Sequence, residues 1–169
     1  TMGGVAMETF ARRDGDSVKD ARHLIGLILG RYHAAHRRDL PRLCALARKV
    51  ESHHSNDPRA PSGLADLLQQ ISAELEGHMR QEERTLFPSM LRNAAGLDTP
   101  LAEMRGHHAR HIARLSRIAR LTRGFTPPEA ACPDWWALYA IAFSFVDDME
   151  EHMHLEDEIL FPRYERRSS

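Results

Sequence analysis

The hydrophobic residues of this 169-residue chain recur with a helical period along its length, and the alternation typical of strands is absent. Apolar residues three and four positions apart form one face of each segment, and clusters rich in Pro, Gly and Asn separate the segments. Because the connections are short, we expect an all-α protein, an up-down-up-down four-helix bundle. The pattern predicts long helices over residues 17–50, 64–90, 101–122 and 135–163.

Individual residues refine these boundaries. Ser17 can cap the first helix, and Asp20 lies in its first turn, where a negative charge is favourable. Pro41 interrupts the pattern, so we expect it to kink or divide this helix. Pro88 implies a kink near the end of the next helix, and residues 93–100 are expected to form a turn.

The length of the chain favours one domain with a sizeable core. We expect residues 17–165 to form the bundle and residues 1–16 to be a flexible N-terminal lead without a signal peptide. The longest apolar stretch, residues 24–29, is far too short to span a membrane. No membrane association is therefore predicted.

Composition limits the partners of the protein. The formal net charge is −1, so overall charge gives no reason to expect nucleic-acid binding. The two Cys residues, Cys44 and Cys132, are far apart and lack a CxxC spacing, which favours a reducing cytoplasm over a disulfide scaffold. Cys132, an isolated thiol beside a proline, is expected to be inert.

The candidate chemistry comes from a segment that occurs twice. HMRQEERTLFP covers residues 78–88 and HMHLEDEILFP covers residues 152–162, with six of eleven positions identical at an offset of 74. Each copy has a His and a Glu four residues apart, which lie on one face of a helix about one turn apart. Two such pairs of imidazole and carboxylate are what a two-metal site in a helical bundle requires.

A second, weaker repeat supports the first. YHAAH at residues 32–36 reappears as HHARH at residues 107–111, at an offset of 75. Each half of the chain therefore has a His on one helix and a His–Glu pair on the next. Apolar neighbours at helical spacing direct these side chains inward, where His and Glu are costly unless paired or metal-bound. The candidate metal ligands are His33, His78, Glu82, His108, His152 and Glu156.

This donor set narrows the choice of metal. Two bridging carboxylates and two His per metal favour iron or manganese over a structural zinc site, which prefers thiolates and four-coordination. At least one coordination position then stays open for a small diatomic ligand or an oxo bridge. Two alternatives remain: the His–Glu pairs could lie on exposed helix faces, and His33 or His108 could each be a hydrogen-bonded histidine of the core.

Five motifs carry a resemblance to a known family: RYHAAHRRDLPRL at 31–43, ARKVESHH at 47–54, ELEGHMRQEERTLFP at 74–88, GFTPPEAAC at 124–132 and EEHMHLEDEILFPR at 150–163. Together they resemble the hemerythrin-like (HHE cation-binding) domain. More narrowly, the chain is similar to the Repair of Iron Centres group, di-iron proteins induced by nitric oxide and linked to repair of iron–sulfur clusters. The resemblance extends from Ser17 to Tyr164.

The resemblance implies that the four candidate His are iron ligands and that Glu82 and Glu156 bridge two iron ions, with an oxo or hydroxo bridge. Oxygen-carrying hemerythrins use a set of five His instead. Relatives usually have a small N-terminal domain with a Cys pair, which this chain is expected to lack. The residue before His108 is often acidic in relatives but is His107 here, which could alter a polar access path or add an outer-shell donor.

Other polar residues near the motifs are expected outside the main site. His54 follows His33 by 21 residues on the same helical run, so a straight helix places it about 30 Å away. Four more residues are interpreted as supports behind the ligands or as solvated groups: His36, His111, Glu83 and Asp157.

Three functions are compatible with this site. The first is a nitric-oxide-responsive di-iron protein that binds NO or delivers iron to damaged clusters, and family likeness favours it. The second is an O2-binding carrier or sensor, and the third is a redox enzyme that acts on peroxide or NO. The ligand set does not separate them, so it does not decide whether the protein is an enzyme. The sequence also leaves open the metal loaded in the cell, a homodimer, and the identity of an electron-transfer or iron–sulfur protein partner.

Overall fold

A computed structural model describes residues 20–165 as four long helices, and no strand occurs among these residues. The predicted all-α four-helix bundle is confirmed. The predicted cap at Ser17 and the predicted lead over residues 1–16 lie outside the described residues. The helices are α1 (residues 20–27, Ile28–His33 and Ala34–His53), α2 (Leu64–Gln81, Glu82–Leu86 and Phe87–Leu91), α3 (Asp98–Leu121) and α4 (Pro133–His154, Leu155–Leu160 and Phe161–Arg163).

The four helices pack so that each faces the centre of the bundle. α1 packs against α2 and α4, and α3 packs against the same two helices. α1 and α3 therefore stand diagonally across the bundle. Side chains that α1 and α3 direct inward consequently meet those of α2 and α4.

Two apolar clusters fill the interior, one toward each end of the bundle. Leu75 and Met79 of α2 belong to one cluster, and Leu86 and Phe87 belong to the other. Burying a large apolar side chain stabilises the fold by about 1.5–3 kcal/mol. Glu82 lies between these two pairs along α2 and is fully buried. The middle of the bundle is therefore a polar layer between two apolar cores that offset its cost.

Of the two outcomes predicted for Pro41, a kink or a division of the first helix, the division is wrong. The α-helical segment Ala34–His53 continues through Pro41. A proline in a helix removes one hydrogen bond to the carbonyl four residues before it, which here belongs to Arg37. Both residues lie on the exposed side of α1, where water can bind that carbonyl. The loss is therefore tolerated without a break.

The third helix begins earlier than the sequence predicted. It starts at Asp98, so the last residues of the expected turn over 93–100 are helical. Pro100 falls in the first turn, where the missing N–H of proline has no helical partner to lose. A Pro in this position starts a helix rather than delaying it.

No helix among residues 20–165 is long and apolar enough to cross a membrane. α1 instead has a buried apolar face, which includes Leu40, and an exposed polar face, which includes Arg38. This amphipathic pattern is expected for helices that pack in a bundle.

Candidate metal centre

Six ionisable side chains meet in the middle of the bundle, where each is at most 4% exposed. Four are imidazoles and two are carboxylates, and together they come from all four helices. The structure brings every candidate ligand predicted from the repeats into one cluster: His33, His78, Glu82, His108, His152 and Glu156.

The ligand atoms form two groups of four, and all atoms of a group lie within 4.8 Å of one another. One group, the His33 half, contains His33 and His152. The other, the His78 half, contains His78 and His108. The two carboxylates belong to both groups. The arrangement is therefore two overlapping sets of donors that share their acidic members.

Each shared carboxylate directs one oxygen to each half. Glu82 Oε2 lies 3.3 Å from His33 Nε2, and Glu82 Oε1 lies 3.0 Å from His78 Nε2. Glu156 Oε2 lies 3.2 Å from His108 Nε2, and its Oε1 lies 3.1 Å from the Nε2 of the other imidazole of the His33 half. Donors around one ion with bonds of about 2.1 Å are roughly 3 Å apart. The separations of 3.0–3.3 Å therefore match those of donors around a metal ion.

Several of these buried atoms have no hydrogen-bond partner in the described part of the chain. They are Nε2 of His33, both carboxylate oxygens of Glu82 and Oε2 of Glu156. A buried polar group left unsatisfied costs about 1–3 kcal/mol, and more when it is charged. A cation bound between imidazole nitrogens and carboxylate oxygens satisfies these atoms together. The donor set therefore fits bound metal.

The charges of the cluster depend on one another. Burial opposes ionisation of Glu82, but its contacts with His33 and His78 hold the pKa of the carboxyl below its ordinary value. Burial also opposes protonation of His108, but Asp157 and then a second carboxylate outweigh burial and raise the pKa of this imidazole to about 10. Without metal, the cluster therefore keeps a carboxylate charged and a histidine protonated. Metal binding must displace that proton.

Three helices widen into π-helical turns where they carry candidate ligands. Such turns are frequent at functional sites. In α2 and α4 the wide turn ends at the Leu of the repeated Leu-Phe-Pro, so that Pro88 and Pro162 lie two residues beyond it. A proline ring clashes with the carbonyl four residues before it in an α-helix, and we infer that the wider turn relieves this clash. The turns are Ile28–His33 in α1, Glu82–Leu86 in α2 and Leu155–Leu160 in α4.

The residue after each shared Glu supports a histidine on another helix. His33 Nδ1 lies 2.8 Å from Glu83 Oε1, and His108 Nδ1 lies 2.8 Å from Asp157 Oδ1. A carboxylate that accepts the Nδ1 proton turns Nε2 of the same ring toward the centre. The Phe residues of the repeated segment pack on the same two imidazoles, Phe87 with ring centroids 6.1 Å apart and Phe161 with 5.8 Å.

His152 is supported by a second imidazole. Its Nδ1 lies 3.2 Å from Nε2 of His36, which is 1% exposed and packs edge-on against Phe145. Tyr32 stacks on His152 with ring centroids 5.6 Å apart. Burial, and then the nearby His152, lower the pKa of His36 to about 2, so His36 is neutral and can accept the Nδ1 proton of His152. Tyr32 and His36 thus enclose His152 in the His33 half.

His78 has looser support. Its Nδ1 lies 3.3 Å from Nδ1 of His107, which is partly exposed. His111 is the counterpart of His36 in the repeat and packs edge-on against His78, with ring centroids 5.3 Å apart. Its Nδ1 has no hydrogen-bond partner among the described residues, although the ring is buried. His36 and His111 are therefore both interior residues, but only His36 of these two hydrogen-bonds a candidate ligand.

His54 lies outside the cluster and contacts Cys132, a pairing that the sequence analysis does not predict. Its Nε2 is 3.2 Å from Cys132 Sγ, and its ring packs on Trp135 with centroids 4.9 Å apart. Cys132 is therefore not an isolated thiol. The two residues are 78 positions apart, and no spacing signal joins them. The sequence analysis also does not predict the stacking of Tyr32 on His152. The position of this aromatic residue directly before a candidate ligand was a signal for it.

The sequence model of the Hemerythrin HHE cation binding domain matches residues 27–165. The Iron-sulfur cluster repair protein YtfE of Yersinia pseudotuberculosis is 42% identical over 142 residues, a match that covers 83% of this chain and 64% of the relative. The protein of the same name from Yersinia pestis matches with the same identity and coverage. The chain thus spans less than two thirds of the length of these curated relatives.

Proposed function

We propose a function from one premise, that this chain belongs to the hemerythrin HHE cation-binding domain family. We infer that it binds two iron ions and that the metal centre binds a small diatomic ligand. The observation that carries the proposal is the pair of donor groups that share Glu82 and Glu156. His33 and His152 would hold one ion, and His78 and His108 the other.

The protein residues would bind and orient the metal and exclude water from it. Iron held by these residues would supply the binding of NO or O2, and the family resemblance implies an oxo or hydroxo group with it. The shared carboxylates offset repulsion between two nearby cations. Glu83 and Asp157 hold the Nδ1 protons of their histidines, so that Nε2 stays available to metal. The apolar clusters on both sides keep bulk water away from the layer.

Repair of iron–sulfur clusters is the biological role that we propose. It is the role named for relatives that are 42% identical. The partners would then be an iron–sulfur protein with a damaged cluster and an electron donor, and the expected compartment is the cytoplasm. NO is the favoured diatomic ligand, because the family resemblance is to proteins induced by nitric oxide.

Metal analysis and ligand binding test the proposal together. Iron-loaded protein should contain two iron ions per chain, and the reduced form should bind NO in stopped-flow spectra. A stable, reversible spectrum with O2 would favour an oxygen carrier or sensor instead, and turnover of peroxide or NO would favour a redox enzyme. Saturation at one ion per chain after full reconstitution would contradict the di-iron centre.

A repair assay tests the biological role. An iron–sulfur hydratase inactivated by NO should regain activity with the iron-loaded protein and not with Glu156→Ala. Glu158→Ala is the matched control, since Glu158 lies in the same wide turn but is exposed. Equal reactivation by the wild-type protein and by Glu156→Ala would contradict a role of this centre in repair.

A further inference from the structure

A thiol and an imidazole meet at the end of the bundle away from the candidate metal centre. Sγ of Cys132 lies 3.2 Å from Nε2 of His54, and both side chains are partly exposed. His54 is 21 residues beyond His33 on α1, which corresponds to about 30 Å of helix. Neither residue belongs to the two groups of candidate metal ligands. The pair is therefore a second group of reactive side chains, separate from the metal centre.

The geometry of this pair permits proton transfer. When the ring proton of His54 is on Nδ1, Nε2 can accept the thiol proton of Cys132 and leave a nucleophilic thiolate. Trp135 packs on the imidazole with ring centroids 4.9 Å apart, which holds the ring beside the sulfur. Cys132 is also the N-cap residue of α4, where the positive end of the helix dipole stabilises a negative charge.

The other cysteine of the chain lacks these features. Cys44 is 5% exposed and belongs to the apolar cluster that contains Leu75 and Met79. Burial raises the pKa of the Cys44 thiol, so this sulfur stays protonated at neutral pH and is a poor nucleophile. The chain therefore has one thiol placed for reaction and one buried thiol that serves as its internal control.

A cavity of about 460 Å³ lies one turn of chain away from the pair on each side. On one side, the N–H of Ala131, the residue before the cysteine, donates to the carbonyl oxygen of Pro128 at 2.9 Å. On the other side, the N–H of Asp57 donates to the carbonyl oxygen of His54 at 2.9 Å, and the Asp57 carboxylate accepts from Arg59. This volume is in the range of sites that take small molecules. The lining residues are Arg59, Arg123, Thr126, Pro127 and Pro128.

The charges of the cavity wall indicate which ligand it favours. Arg59 forms an ion pair with Asp57 at 2.8 Å, so its charge is offset. The guanidinium of Arg123 donates instead to the backbone carbonyl oxygen of Pro58 at 3.4 Å, a neutral group that leaves the positive charge uncompensated. Guanidinium groups bind carboxylates with good geometry. The cavity therefore favours a small molecule that has carboxylate groups.

We propose that Cys132 and His54 form a reactive thiol site for a low-molecular-weight disulfide with carboxylate groups, which Arg123 attracts to the cavity. The His54 imidazole takes the thiol proton, and Sγ of Cys132 attacks one sulfur of the disulfide. A bond forms between these two sulfurs as the bond within the disulfide breaks. The second sulfur leaves with that electron pair and takes the proton from the imidazole. One thiol is thus released for each mixed disulfide formed, and excess thiol reverses the step.

Reaction of the iron-loaded protein with glutathione disulfide at neutral pH tests this proposal. Intact mass and peptide mapping should show one mixed disulfide per chain, at Cys132 and not at Cys44, with iron content unchanged. Cys132→Ser should abolish the adduct, and Cys44→Ser should retain it. Modification of Cys44 as fast as that of Cys132 would overturn the reactive site.

The role of the imidazole is tested by rate. His54→Ala should slow the reaction by about tenfold or more, because a positioned base contributes about 10²–10⁴-fold and a free thiol is already partly ionised without one. His54→Gln keeps a polar side chain but takes no proton at neutral pH, so it should be slow as well. His53→Ala, exposed at the end of the same helical segment, should react as the wild type does. A wild-type rate in either His54 variant would overturn the pair.

The charge of the ligand is tested with two disulfides. Arg123→Gln should slow the reaction with glutathione disulfide by about fivefold, as loss of a partly exposed charge pair gives. The same variant should react with the neutral hydroxyethyl disulfide at the wild-type rate, and Arg117→Gln, exposed on α3, should leave both rates unchanged. A wild-type rate with glutathione disulfide, or equal slowing with both disulfides, in Arg123→Gln would overturn the preference for carboxylates. The reaction involves no candidate metal ligand, so its outcome is independent of the proposed function.

Discussion

The His33 half and the His78 half use the same repeated segment but differ in what surrounds them. Each half has one histidine backed by a carboxylate at 2.8 Å. Each also has one histidine backed by a second imidazole, which is the buried His36 in the His33 half and the partly exposed His107 in the His78 half. A cavity of about 510 Å³ between α2 and α3 is lined by both residues of the second contact, His78 and His107. The same donor set is thus tightly enclosed on one side and open on the other.

This difference separates two properties of a metal centre. The donor atoms determine which ion binds, and the residues behind the donors determine how firmly each donor is held. We therefore expect the His33 half to retain its ion more firmly and the His78 half to exchange its ion and admit ligands.

Removal of a shared carboxylate should damage both halves. In Glu82→Ala or Glu156→Ala, iron content should fall from two ions to about none or one weakly held ion, because each oxygen belongs to a different half and offsets cation repulsion. Metal analysis after reconstitution measures this. Glu158→Ala, on the exposed side of the same turn, should keep full iron content. Full iron content in both shared-carboxylate variants would show that these residues do not bridge.

Removal of the metal should lower stability, since the buried donors are then unsatisfied. A ligand present at 1,000 times its Kd stabilises a protein by about 4 kcal/mol. For a domain of this size, that corresponds to a Tm roughly 10 °C lower in the metal-free protein. Calorimetry of protein before and after chelation measures it. Equal melting temperatures would contradict the assignment of these residues as buried ligands.

Removal of one histidine should affect one half. His33→Ala and His108→Ala should each leave about one firmly bound ion per chain, because each imidazole serves one group while the shared carboxylates remain. Metal analysis and the visible spectrum should show a mononuclear or altered centre. Complete loss of iron in both variants would mean that the two halves cannot be occupied separately.

Replacing the imidazoles that contact the candidate ligands should weaken metal binding more in the His33 half than in the His78 half. His36→Leu should weaken metal binding by about 10–100-fold, the usual cost of losing an outer hydrogen-bond partner. His107→Leu should cost less than about tenfold, since His107 is partly exposed and water can replace it. Iron release to a chelator, followed over time, measures both. A larger effect of His107→Leu would reverse the comparison of the two halves.

His54→Ala should leave both halves unchanged. His54 contacts Cys132 and Trp135 rather than the cluster. Its loss should leave iron content and the visible spectrum at the wild-type values. Iron loss in His54→Ala, with iron retained in His33→Ala, would show that the ligand of α1 was assigned wrongly.

The helices and the candidate ligands can be predicted from the sequence alone, because both depend on short-range spacing. The helical period places a His and a Glu four residues apart on one face, wherever the helix packs. Because that pair occurs twice, the sequence also predicts two groups of metal-binding donors. Pro41 shows the limit of such reasoning, since its effect depends on whether the affected carbonyl is exposed.

The difference between the two halves depends on tertiary packing. Contacts such as His33 with Glu83 and His36 with His152 join residues 50 and 116 positions apart, and their existence depends on how the helices pack. His36 and His111 occupy equivalent positions in the repeat. In the folded bundle, however, His36 hydrogen-bonds His152, whereas His111 lines the cavity between α2 and α3. Periodicity within a helix is local, whereas support and access at the centre depend on side chains that only the folded bundle brings together.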